Sequence, residues 1–411
     1  MDKRIYLCLA HMSGKEQDFI REAFDTNWVV PLGPNVNAFE EELKHFIGEN
    51  KEVVALSAGT AAIHLALIQL GVQAGDEVIC QSFTFCASAN PVTYLGATPV
   101  FVDSEEDTWN MDPVLLERAI KDRINKTGRK PKAVIPVHLY GMPAKIDEIC
   151  SVSTKYDIPV LEDAAEALGS EYKGRKCGTF GRFGALSFNG NKMITTSGGG
   201  ALIVADEDTK KETMFYATQA RAPFPYYQHE KIGYNYRMSN VVAGVVRGQF
   251  AYLNEHIAQK KAIYERYKEG LKELPVSMNP MDLENSEPNY WLSCLIVDKE
   301  AMCKQVRGEQ DVCYVKETGK SCPTEILEAI ASINAEGRPI WKPMHMQPIY
   351  RLNPFVVRDG NGRARSNAYV AGGAVDVGMD IFARGLCLPS DNKMTVDQQE
   401  KIIEVIKACF E

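Results

Sequence analysis

The sequence predicts an α/β fold: a large domain on a mixed, mostly parallel seven-stranded sheet flanked by helices, then a smaller α+β domain. Three observations lead there. Seven short runs between residues 53 and 204 are apolar along most of their length, as strands covered on both faces are. Helical patterns separate many of these runs, the order expected of parallel strands joined by crossovers. From residue 240 to about 274 a long helical pattern then leads the chain away from this region.

Taken in order, the expected strands are 53–57, 77–81, 98–102, 133–138, 159–162, 183–188 and 200–204. The expected helices are 61–70, 87–95, 113–119 and 146–156. The first helix starts after the turn Ala58-Gly59-Thr60. Residues 12–250 are expected to form the large domain and 251–411 the small one, with residues 1–11 packing on the latter. The stretch 304–321 is polar and rich in Gly, Lys and Glu, and reads as an inserted surface loop.

Composition narrows the function. The 411 residues are 45% hydrophobic and 24% charged, an ordinary globular balance. A chain of this length builds a core without disulfides. The net charge of -8 lacks the basic footprint of a nucleic-acid binder. It leaves room for an anionic small ligand held by backbone N–H groups. There are 11 cysteines, an odd number, and the start MDKRIYLCLAHMSGKEQDF does not read as a signal peptide. Reduced thiols and a cytoplasmic location are therefore expected. Cys303, Cys313 and Cys322 lack the paired spacing of a zinc site, so no metal is expected. No apolar run approaches the roughly 18 residues of a membrane span.

Four segments carry candidate chemistry. In ALSFNGNKMITTSGGGAL an apolar strand runs into a polar turn, then Lys192, then Gly198, Gly199 and Gly200. Lys192 alone reads as a surface lysine, a phosphate contact, or a covalent amine activated by desolvation. In PVLEDAAEALG a strand ends at Asp163, which reads as a helix cap or as an ionised acid facing a ring nitrogen. In ALSAGTAAIHLALIQLG the small residues before the helix expose N–H groups to an anion, with Thr60 adding a hydroxyl. An ordinary Ser or Thr cap fits that turn equally well. In CQSFTFCASANPV, Phe85 reads as a core residue or as a stacking ring.

None of these segments decides singly, but their order along one α/β domain resembles the DegT/DnrJ/EryC1/StrS family of fold-type I aminotransferases, across nearly the whole chain. The resemblance implies pyridoxal 5'-phosphate, joined to Lys192 as an imine at rest and present as pyridoxamine phosphate during turnover. By the same resemblance Ser187, Gly59 and Thr60 hold its phosphate, Phe85 stacks on its ring, and Asp163 pairs with its pyridinium. Asn235, in GYNYRMSN, matches an asparagine reaching the phosphate of a neighbouring subunit, which implies a homodimer with shared sites. Arg237 lies in the same motif.

Two positions depart from the common pattern of that family. Glu166 stands where many members carry glutamine or histidine, and Ser197 to Gly200 replace Gly-Glu-Gly-Gly. Both departures resemble a subgroup that aminates C4 of a UDP-linked 4-keto-6-deoxy N-acetylglucosamine, with glutamate as donor. RPIWKPMHMQPIY also resembles that subgroup, and reads equally as a Pro-punctuated packing loop. If it meets substrate, Trp341, Lys342 and His345 are the candidates. The competing expectations are a GDP-linked 4-keto-6-deoxymannose, a dTDP-linked 3-keto or 4-keto sugar, and a non-catalytic cofactor-binding regulator. Lys192 argues against the dehydratase members, which carry histidine there. A nicotinamide enzyme is excluded, because no G-x-G-x-x-G follows the first strand.

Overall fold

A computed structural model of the chain describes residues 3–48, 50–307, 312–358 and 376–411. Helices α1 (Glu16–Asp25) and α2 (Pro34–Ile47) precede the sheet region. There follow β1 (Glu52–Leu56), α3 (Gly59–Gln69), β2 (Glu77–Gln81), α4 (Asn90–Tyr94), β3 (Thr98–Val102), α5 (Pro113–Thr127), β4 (Ala133–Ile135) and α6 (Ile146–Lys155). Then come β5 (Leu161–Asp163), β6 (Glu171–Tyr172), β7 (Arg175–Lys176), β8 (Phe183–Ser187), β9 (Gly200–Val204) and α7 (Glu207–Ala217).

Strands β3, β2 and β4 pair in parallel, as do β5 and β8. Parallel bridges from Val134 to Val160 and from Val137 to Asp163 join the two halves. Strand β9 runs antiparallel between β8 and β1, completing a mixed, mostly parallel sheet. The strands alternate between two cores. Val53 and Ala55 face a cluster that includes Phe39 and Leu43 of α2, while Val54 and Leu56 face Ala62, Ile63 and Leu65 of α3. Both faces are covered, which is why these strands are apolar along most of their length; each fully buried Val, Ile, Leu or Phe contributes about 1.5–3 kcal/mol.

The remainder comprises α8 (Asn240–Phe250), α9 (Leu253–Gly270), β10 (Val276–Met278), β11 (Ser286–Glu287), β12 (Cys294–Val297), β13 (Gln305–Arg307), β14 (Val312–Tyr314) and α10 (Pro323–Ser332). Last are β15 (Arg338–Pro339), β16 (Phe355–Val356), α11 (Val377–Arg384), β17 (Gly385–Cys387) and α12 (Val396–Ala408). An antiparallel sheet in the order β10-β12-β17-β15 packs with α9, α10 and α12 around Tyr267, Leu295 and Ile402. Ile5 bridges Ala335 in this part of the chain. We propose a division near residue 250, because α8 packs on α1 and α2 whereas α9 packs on α12. Strand β16 crosses that division and pairs in parallel with β3.

Some elements differ from expectation. The stretch read as a loop over 304–321 contains an antiparallel hairpin, β13–β14; residues 308–311 lie outside the described residues. Its strands are three residues long, too short to display an alternation. The helical pattern of 240–274 is two helices, broken between Phe250 and Leu253 without a proline or glycine to mark the break. Helix α5 runs eight residues beyond its expected end, to Thr127, where Gly128 takes the left-handed conformation (φ 71°) that closes a helix.

Candidate active site

The carboxyl ends of β1, β5 and β8 and the loop after β2 meet at one cavity of about 280 Å³. Open parallel sheets place ligands there. Its lining includes Gly59, Thr60, Phe85, Asp163, Glu166, Ser187, Lys192 and Trp341, eight of the residues singled out in the sequence.

One end of the cavity is the N-terminus of α3. Its N-cap is Ala58, with no side chain capping the helix. The first intrahelical donor seen there is Ala62 N–H to Ala58 O at 3.2 Å, so the N–H groups before it point out of the helix. This excludes an ordinary Ser or Thr cap. Ser187 ends β8 beside the turn, and a Cβ on Gly59 would lie 3.0 Å from the Ser187 Cβ. Gly200 explains part of the glycine run: a Cβ there would sit 2.4 Å from Ala58 C and Gly59 N. The start of β9 therefore presses on the turn as only glycine allows.

Asp163 closes β5. Its Oδ2 accepts from Ser88 Oγ at 2.6 Å and its Oδ1 from Ala165 N–H at 3.1 Å. These two donors orient the carboxylate.

Lys192 lies on the loop between β8 and β9. Its Nζ is 3.5 Å from Glu166 Oε1 and 4.3 Å from the centroid of the Trp291 ring. Both contacts suit an ammonium. The neighbouring Asn191 carbonyl accepts from Trp291 Nε1 at 2.8 Å, which pins the loop. Asn289 braces the same corner: its Nδ2 donates to the Glu166 and Leu168 carbonyls, and its Oδ1 accepts from Trp291 N–H. Tyr140 N–H donates to Glu166 Oε2 at 2.6 Å, and Tyr140 OH accepts from Trp341 N–H at 3.2 Å. Tyr140 holds φ 52°, an uncommon conformation for a bulky residue and costly by about 1–3 kcal/mol. Tyr140, Trp291 and Asn289 were not singled out in the sequence. Tyr140 follows an expected strand end, a signal that could have found it; Trp291 and Asn289 carry none.

Burial pushes the Glu166 carboxyl up to about 7, against the opposing pull of the Lys192 ammonium and the Tyr140 N–H. A carboxyl raised in the folded state binds a proton that the unfolded chain has released. Its stabilising contribution is complete at low pH and is lost as pH rises from the ordinary carboxylate range through about 7. Asp103, also raised to about 7 by burial and by Asp376, acts in the same window. Urea unfolding of ligand-free protein between pH 5 and 8 should therefore show stability falling with pH. Glu166→Gln should reduce that slope without abolishing it; an unchanged slope would contradict the burial argument.

Phe85 is 54% exposed, so it is not a core residue; its ring lies 5.6 Å from that of Trp341. Other expected contacts fall outside the cavity lining. The Arg237 guanidinium is buried and spent on both carboxylate oxygens of Glu40 and on the Ala55 carbonyl. His345 is buried, with Nδ1 2.7 Å from Ser82 Oγ and Nε2 3.1 Å from Asp376 Oδ2. Neither is disposed to meet a substrate in that cavity. Lys342 is half-buried and does not line the cavity, and Asn235 is exposed.

Residues 11–407 match the model of the DegT/DnrJ/EryC1/StrS aminotransferase family. The chain is 47% identical over 410 residues, 100% of its length and 97% of the relative's, to a Bacillus subtilis (strain 168) protein described as "Putative pyridoxal phosphate-dependent aminotransferase EpsN". It is 33% identical over 351 residues to the GDP-perosamine synthase of Caulobacter vibrioides, covering 84% of this chain and 87% of that one. A crystal structure of a DegT DnrJ EryC1 StrS aminotransferase from Brucella abortus superposes with a TM-score of 0.81 at 26% identity, covering 96% of this chain and 95% of the other.

Proposed function

Because this chain belongs to the DegT/DnrJ/EryC1/StrS aminotransferase family, we propose that it transfers an amino group from L-glutamate to C4 of a UDP-linked 2-acetamido-2,6-dideoxy-4-keto-hexose. At the coarser level it is a pyridoxal-phosphate-dependent sugar aminotransferase that acts on nucleotide-linked sugars. The observation that carries the reading is the convergence of Lys192, Asp163 and the uncapped start of α3 on one cavity.

The residues fit the cofactor. Gly59 and Thr60 offer N–H groups, and Ser187 a hydroxyl, to a phosphate at a helix N-terminus. Asp163, oriented by Ser88 and Ala165, would face the ring nitrogen and hold its proton. Phe85 supplies a planar face. When bound, pyridoxal phosphate supplies an electron sink for the pair left by a broken C–H bond. Lys192 Nζ takes the α-proton of the amino donor, and in the second half-reaction it handles the corresponding proton of the sugar. Glu166 and the Trp291 ring hold that amine in place while it is free. Asn235, exposed on this chain, is assigned to the cofactor phosphate of a neighbouring subunit in a homodimer. The cytoplasm is the proposed compartment, consistent with eleven free cysteines.

The apolar wall supports a 6-deoxy sugar. Phe85, Trp291 and Trp341 line the cavity, and among the described residues lining it Lys192 is the one cation. A methyl at C6 suits that wall, whereas a C6 carboxylate would find no cation but Lys192 among those described lining residues. A GDP-linked 4-keto-6-deoxymannose is the second reading, favoured by the Caulobacter vibrioides relative. Amination of a panel of keto nucleotide sugars, with glutamate as donor and the product identified by NMR, separates the two. The UDP-linked 4-keto sugar should give the highest kcat/KM. Faster turnover of the GDP-linked sugar would favour the second reading.

A further inference from the structure

Ser82 follows β2 directly and lies three residues before Phe85. Its carbonyl accepts from Met344 N–H at 2.7 Å, and its Oγ meets His345 Nδ1 at 2.7 Å and His345 N–H at 3.2 Å. Met344 lies three residues after Trp341. One residue therefore grips the two loops that carry the cavity's outer rings. The imidazole is itself held on its other sides. His345 Nε2 is 3.1 Å from Asp376 Oδ2, and the ring stacks on Phe355 of β16 with centroids 3.7 Å apart and planes 6° off parallel.

Asp376 caps α11 through Met379 N–H, and Asp103, after β3, accepts from Val377 and Gly378 N–H at 2.9 and 3.1 Å. A Cβ on Gly378 would lie 3.3 Å from Pro343 Cγ, so the first turn of α11 abuts the Trp341 loop. His345 thus joins β2, β16 and α11 to the segment bearing Trp341. Its own ring is buried and does not line the cavity.

We propose that the Ser82–His345–Asp376 chain is a positioning device that sets Trp341 opposite Phe85 and so forms the outer wall that receives the keto sugar. The proposal rests on the function proposed above. Trp291, 2% exposed, closes the inner side near Lys192, while Phe85 and Trp341 form the outer pair. The bulky nucleotide sugar must pass and contact that pair; glutamate is small enough to react on the inner side. Loosening the chain should therefore weaken the sugar half-reaction selectively.

The test uses Ser82→Ala and His345→Gln, the first of which deletes a single oxygen and keeps the backbone contacts. In ligand-free protein labelled with 5-fluorotryptophan, the Trp341 resonance, assigned through Trp341→Phe, should shift in both variants while that of Trp28, whose carbonyl is held by Asn240 of α8, stays. In the holoenzyme, removing one buried partner should raise KM for the keto sugar about tenfold. The glutamate half-reaction, read as the change in cofactor absorbance, should stay within about twofold of the unsubstituted rate, because neither substitution removes a group that contacts Lys192, Glu166 or Trp291. An unmoved Trp341 resonance would overturn the proposal, as would an equal loss in both half-reactions. Failure of glutamate to change the absorbance of the unsubstituted enzyme would instead overturn glutamate as the amino donor, and the fluorine spectrum of ligand-free protein would still test the positioning device.

Discussion

With Lys192 replaced by alanine, the protein should fold and take up pyridoxal phosphate but lose transamination by a factor of about 10³ or more, the scale of a missing general acid–base group. Uptake should survive because the phosphate end of the cavity, at Gly59, Thr60 and Ser187, and the ring end, at Asp163, do not depend on Lys192 for their geometry. The Lys192 ammonium also faces Glu166 at 3.5 Å, so alanine removes a charge as well as a nucleophile. Lys192→Arg separates these effects. It restores a cation opposite Glu166 but not a base that can exchange a proton near neutral pH. If charge alone mattered, arginine would rescue activity; the account expects it to remain as inactive as alanine. Single-turnover reaction with glutamate, followed by absorbance, is the measurement for both variants.

Replacing Asp163 by asparagine should cost about 10²–10³ in kcat, the scale of losing one preorganised electrostatic partner of the transition state. Asparagine keeps the shape of the side chain, and its carbonyl can still accept from Ser88 Oγ. It cannot keep a ring nitrogen protonated, because its amide carries no charge. Folding and the environment of Lys192 should be intact, so circular dichroism and thermal unfolding should match the parent while the glutamate half-reaction slows. Normal rates in Asp163→Asn would remove the acid from the mechanism.

The parts of this molecule that were legible in the sequence are those specified locally. The runs 77–81, 98–102 and 200–204 form strands with those same limits, since each has an apolar centre and is followed by a polar or small residue. Gly59, Thr60, Asp163, Ser187 and Lys192 all sit at strand ends or next to them, and the sheet alone brings such ends together. What was not legible depends on contacts distant in sequence. Arg237 lies in a motif that drew attention, yet its direction is set by Glu40 on α2. His345 looked like a substrate contact from its type and its loop, and its partners are Ser82 and Asp376. Trp291 and Asn289 sit among core-like aromatic and polar residues, with nothing nearby to mark them as the support of the Lys192 loop. A sequence shows the kind of side chain, while burial and direction follow from the packing of the remaining chain.

Borohydride reduction of the purified holoprotein, followed by proteolysis and mass spectrometry, tests the central claim most directly, because it records which amine holds the cofactor. Lys192 should carry a phosphopyridoxyl group, and that label should be lost once glutamate has been added before reduction. A label on another lysine, or none on Lys192 in protein that binds the cofactor, would contradict that claim.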